Sequence, residues 1–163
     1  MISFWAEAFK RSPEVPSIPC VALAETVAEK FAALTRRAGA ELADAGGARD
    51  KTLIRHVYDL YVLREHYDPA AVAALVNEII AADVEAYGHR FPAYRKNPIA
   101  ETLRAASMLA ADDRYAGCYA AFPRDMVYGE APGYGTALAA VLGLADGLRE
   151  YREGQRLRGS AQG

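Results

Sequence analysis

The sequence predicts an all-α fold, an antiparallel helical bundle with a short extended segment at its N-terminus. Three observations carry this: apolar residues recur at steps of three and four along most of the chain, Asp68-Pro69 and Asn97-Pro98 supply helix-start chemistry, and no repeat at solenoid spacing is present. Short connections between successive helical stretches imply antiparallel neighbours. The expected division is an extended segment and linker over 1–20, a helical domain over 21–151 and a disordered tail over 152–163.

Ile2 to Phe9 (ISFWAEAF) is bulky and apolar, and Pro13, Pro16 and Pro19 then break the chain, so a strand and a linker are expected. A lone strand has an unpaired edge, which invites another chain or a second copy of this one. From Leu23 to Arg37, Leu23, Val27, Phe31, Leu34 and Ala38 fall on one helical stripe, with Thr26, Lys30 and Arg37 in a polar row beside it. Gly39 to Asp50 reads as a loop with a frayed continuation of that helix.

Thr52 to His66 (TLIRHVYDLYVLREH) reads as a central helix, apolar nearly all round yet bearing Arg55, His56 and Asp59. Asp68 caps the next helix and Gly88 stops it, with Val72, Leu75, Val76, Ile79, Ile80, Val84 and Tyr87 on one face. Asn97-Pro98 starts another, through Ile99, Leu103, Met108 and Leu109 to about Asp112. Tyr115, Cys118, Tyr119 and Phe122 follow as a helical face that Pro123 interrupts. A glycine-rich turn, Gly129 to Gly135, leads to a last helix with Leu138, Val141, Leu142, Ala145 and Leu148 inward.

At 163 residues the chain can bury about two thirds of the surface its unfolded form exposes. With Lys+Arg 19 against Asp+Glu 21 the net charge is -2, so any contact with nucleic acid has to be local. Cys20 and Cys118 stand apart without metal-ligand spacing and read as reduced, packed thiols. No run approaches the roughly 18 apolar residues of a membrane span, and Met1 to Lys10 is too short and acidic for a signal peptide. A cytoplasmic location follows from that reading.

Arg55 and Asp59 share a helix face, with His66 two turns further along. Taken alone they are an intrahelical ion pair, although an acid N-terminal to the base is the more stabilising order. Lys30 by itself is a snorkelling surface lysine; beside Asp59 on a neighbouring helix, the two could grip phosphate and position a base. Gly129 to Ala137 (GEAPGYGTA) lacks the lysine of a P-loop and follows no strand, so it reads as the start of a helix. Asp83 and Glu85 fall on different helix faces and cannot share a magnesium. Tyr58, Tyr61, Tyr115, Tyr119, Tyr128 and Tyr134 read as packing residues rather than base-stacking platforms.

The stretch ALAETVAEKFAALTRR (Ala22 to Arg37), followed by RHVYDLYVL (Arg55 to Leu63), resembles the third and fourth motifs of the AbiEii-type nucleotidyltransferase toxins. Asp113 to Leu138 is similar to the tail of longer members, so the resemblance spans Ala22 to Arg149. It implies that Lys30 contacts nucleotide phosphates, with Arg55 and Arg37 among the nucleotide-binding residues, and that Asp59 is the catalytic acidic residue or base. It implies further an NTP with magnesium, an acceptor such as tRNA, and an antitoxin partner.

The family's first two motifs, a Gly-Ser segment and a D-x-D metal pair, are not found: the sole Gly-Ser is Gly159-Ser160, and no two aspartates stand two apart. The sequence begins where the nucleotidyltransferase sheet would be ending. Expected, then, is the helical C-terminal part of such an enzyme, inactive and without metal or cofactor of its own until the missing half is supplied. The rival expectation is a non-enzymatic helical module or homodimer, joined through the N-terminal strand, in which Arg55 and Asp59 only lock the core.

Overall fold

Seven helices account for about four fifths of the described residues, which in this computed structural model are 8–10, 19–43, 50–112 and 114–160. They are α1 (Leu23–Ala43), α2 (Ile54–Leu63), α3 (Pro69–Tyr87), α4 (Pro92–Lys96), α5 (Pro98–Ala111), α6 (Arg114–Met126) and α7 (Tyr134–Ser160). No strand occurs among the described residues, and the fold is all-α. Most of the expected strand Ile2 to Phe9 lies outside them.

α1 and α7 organise the packing. α1 lies chiefly against α3 and α5, and α7 against α2, α3 and α5. Val27, Phe31, Leu34 and Ala38 on α1 are fully buried, as are Val57 and Leu60 on α2, Val72 on α3, and Val141 and Leu148 on α7. Each such Val, Leu or Phe stabilises the fold by about 1.5–3 kcal/mol relative to an exposed position. Thr35, buried in this face, satisfies its hydroxyl by donating to the Phe31 carbonyl at 2.9 Å.

The caps follow the sequence reading. The Asp68 carboxylate accepts from the Ala70 N–H at 3.1 Å, and the Asn97 side chain from the Ala100 N–H at 3.4 Å. Gly88 ends α3 at φ -57°, so a left-handed backbone is not what requires glycine there. A Cβ at Gly88 would collide with the Val84 carbonyl oxygen and stand 3.2 Å from the Arg95 Cβ, and this close approach of backbone and of α4 is the constraint. Gly129, at φ +97°, does use the left-handed region, and it turns the chain toward α7.

Five expectations change. The central helix is shorter, because after Leu63 the backbone tightens into a turn: the Arg64 N–H bonds to Tyr61 O, and the Arg64 guanidinium donates to the same carbonyl at 2.8 Å. α2 is also not dry all round, since Arg55 is exposed and Val62 is 45% exposed, while His66 lies beyond its end on the surface. Pro123 does not stop α6, which runs one turn further to Met126 with the single intrahelical bond to Tyr119 missing. The region from Arg152 is helical to Ser160, held by an Arg152 to Asn77 hydrogen bond of 3.1 Å and by Gln155 donating to Tyr151 at 3.0 Å. Cys20, expected to be packed, is exposed.

Phe31→Ala should lower the stability of the bundle by about 3–5 kcal/mol in urea unfolding, because it empties a fully buried site shared by several helices.

Candidate functional site

The buried stripe of α1 fixes the direction of its polar side chains. Lys30, next to fully buried Phe31, points to α2, where Asp59 is held beside fully buried Leu60. Lys30 Nζ lies 2.7 Å from Asp59 Oδ2, with the two side chains 28% and 36% exposed. The structure thus pairs Asp59 with Lys30 across two helices. Arg55, one turn before Asp59, directs its Nε to the Thr52 carbonyl at 3.4 Å instead.

Lys30, Arg55, His56 and Asp59 line one cleft of about 510 Å³. Its other wall comes from α6 and the residues after it: Phe122, Met126, Val127 and Tyr128, with Tyr58 of α2 meeting Phe122 edge-on at 5.6 Å. Arg37 is not in this lining; its guanidinium pairs with Asp50 in the segment before α2. Three of the four residues expected at a nucleotide site therefore share a cleft, and the fourth stands behind it.

His56 was not singled out for a role by the sequence, because a lone histidine without ligand spacing carries no signal. It is half-buried, and its Nδ1 has no hydrogen-bond partner among the described residues. Burial pushes its pKa below the ordinary 6.5, the Lys30 ammonium pushes it further, Asp59 pulls it back, and Arg37 and Arg55 add smaller downward effects. The ring is thus neutral near pH 7, with a polar atom left over.

The tyrosines divide. Tyr115 and Tyr119 are buried, and Tyr58, Tyr61 and Tyr134 pack partly against the core, as their spacing predicts. Tyr128 does not pack; it is fully exposed at the cleft rim beside 66% exposed Met126. Its position between Pro123 and Gly129, after the helical period has ended, was the available clue.

Among the described residues no three His, Cys, Asp or Glu side chains gather as a metal site. The cleft holds one carboxylate, Asp59, already engaged by Lys30. Magnesium takes an octahedral oxygen shell, so these residues do not fit a resident ion by themselves. No helix among the described residues is long and apolar enough to cross a membrane.

An ion-paired lysine and carboxylate, a further arginine and an aromatic rim thus meet at one cleft of an all-α protein. The chain belongs to the AbiEii family: the family profile described as Nucleotidyl transferase AbiEii toxin, Type IV TA system, matches residues 2–144. That match contains both helical motifs and reaches further toward the N-terminus than Ala22. No curated protein and no solved structure matches the chain.

Because the folded pKa of His56 lies below its unfolded value, the unfolded chain binds more protons in the interval, and stability rises with pH there. The contribution is complete above about pH 6.5 and is lost as pH falls through the folded value. Thermal unfolding between pH 7.5 and 5.5 should show this loss, and His56→Gln should flatten it.

Proposed function

We propose that this chain supplies the helical wall of an AbiEii-type nucleotidyl transfer site, with Lys30 as the phosphate-binding cation and Asp59 as the general base. The observation that carries this is the 2.7 Å contact between them in an open cleft. In the absence of substrate each neutralises the other. A triphosphate drawn to Lys30 and Arg55 releases the Asp59 carboxylate, which accepts the proton of the acceptor hydroxyl as its oxygen bonds to the α-phosphorus and pyrophosphate leaves. Tyr128 and Met126 offer the planar base an apolar face at the rim. Arg37 keeps Asp50, and with it the approach to α2, in place rather than touching the nucleotide.

The exposure of the pair supports this over a purely structural role. A salt bridge between side chains about a third exposed contributes only about 0.2–1 kcal/mol, a weak lock for a core that buries so much apolar surface. The carboxylates for magnesium belong, in this reading, to a segment bearing Gly-Ser and D-x-D, and the acceptor is an RNA such as tRNA. Being in a type IV toxin–antitoxin family supports an antitoxin as the natural partner. The non-enzymatic alternative, a helical module that pairs with another chain or itself through Ile2 to Phe9, predicts no role for Lys30.

Incubation of the chain with labelled NTP, magnesium and total tRNA should give no transfer, and addition of a separately purified Gly-Ser/D-x-D segment should give it. In that mixture Lys30→Ala and Asp59→Asn should each lower the rate by about 10²–10⁴-fold and the stability by no more than about 1 kcal/mol. Transfer by the chain alone would overturn the division of the site, and transfer indifferent to both substitutions would overturn the residue roles.

A further inference from the structure

A second cleft, of about 480 Å³, opens between α3, the α4–α5 junction and the C-terminal half of α7. Its charged lining is Lys96, Arg149, Arg152 and Arg156 against one acid, Glu153. On a chain of net charge -2 this gathers a local positive field on one face. Arg149, Arg152 and Arg156 stand at i, i+3 and i+7 on α7 and so share a helix face, where like charges repel one another.

Their neutralisation inside the protein is incomplete. Arg149 pairs with Asp146 on its own helix, and Arg152 donates to the neutral Asn77 side chain at 3.1 Å. No ion pair of Lys96 or Arg156 occurs among the described residues, and both side chains are exposed. The first turn of α5, Asn97 to Ala100, also faces the cleft and brings the positive end of its dipole.

We infer that this cleft binds the phosphodiester backbone of a nucleic-acid strand. From Arg149 to Arg156 the helix rises about 10 Å at 1.5 Å per residue. A strand presents one phosphate per roughly 3.4 Å of axis, so this row spans about three phosphates. A single small anion would leave most of the row unmatched. The lining offers charge and amide groups over an aliphatic floor that includes Ile80, Ile99 and Leu103, with no aromatic side chain, so the strand is held by its backbone and without base selection. The inference does not depend on the Lys30–Asp59 reading, whose cleft has a different lining.

The test is anisotropy of a labelled single-stranded RNA, with DNA of the same sequence alongside, titrated with the full chain across a salt series. Wild type should show a log–log salt slope of about -2 to -3, from about -0.7 per phosphate contact. The triple variant Lys96→Gln/Arg149→Gln/Arg156→Gln changes exposed side chains only. It should bind at least about tenfold more weakly with a slope no steeper than about -0.7, that of the remaining Arg152, while Arg149→Lys/Arg156→Lys should retain binding. RNA and DNA should bind alike. Unchanged affinity and slope in the triple variant would overturn the inference. So would displacement of the strand by polyglutamate of equal charge as readily as by unlabelled RNA, which would mark a site for an acidic protein segment.

Discussion

Burial of one face of α1 is the constraint on which the rest depends. Val27, Phe31, Leu34 and Ala38 have no exposed surface, so the helix cannot rotate without lifting its whole stripe out of the core. With rotation fixed, its three flanking cations are aimed at three different segments. Lys30 meets Asp59 on α2, Arg36 meets Asp83 on α3 at 2.7 Å, and Arg37 meets Asp50 before α2. Arg36 also lies 4.2 Å over the Tyr87 ring, so α1 and α3 are joined by charge and by a ring face together. Apolar packing sets the geometry, and the ion pairs select which acids the cations meet.

Helix positions were legible in the sequence because apolar period and cap chemistry act locally. Asp68 and Asn97 behave as their neighbours in the chain require. Helix ends were harder to read where a side-chain contact decides them, whether from across the fold or from the preceding turn. α7 continues to Ser160 partly because Asn77, distant in sequence, holds Arg152. α2 ends early because the Arg64 guanidinium, 3.9 Å over the Tyr61 ring, takes the carbonyl that another turn of helix would have used. Neither effect has a periodic signature.

The site was legible in a different way. Lys30 and Asp59 were visible through family-like motifs and not through any pattern that a single sequence carries, and their meeting is a tertiary fact. Asp59 had a nearer candidate partner in Arg55, four residues away on the same helix. The choice of Lys30 fits the known preference in helices for an acid preceding its base, which Arg55 and Asp59 reverse. His56 and Tyr128 carried no such motif. Each acquires meaning only from what surrounds it, a cationic pocket in one case and the absence of any packing in the other.

The two sides of the Lys30–Asp59 cleft differ in how firmly they are built. The α1–α2 floor rests on fully buried side chains and cross-helix ion pairs. The opposite side is the last turn of a helix that has given up a backbone bond at Pro123, and the residues that follow it reach Gly129 with the Tyr128 side chain in solvent. The cleft is therefore built asymmetrically: its charged groups stand on packed helices, while the α6 edge ends in exposed side chains.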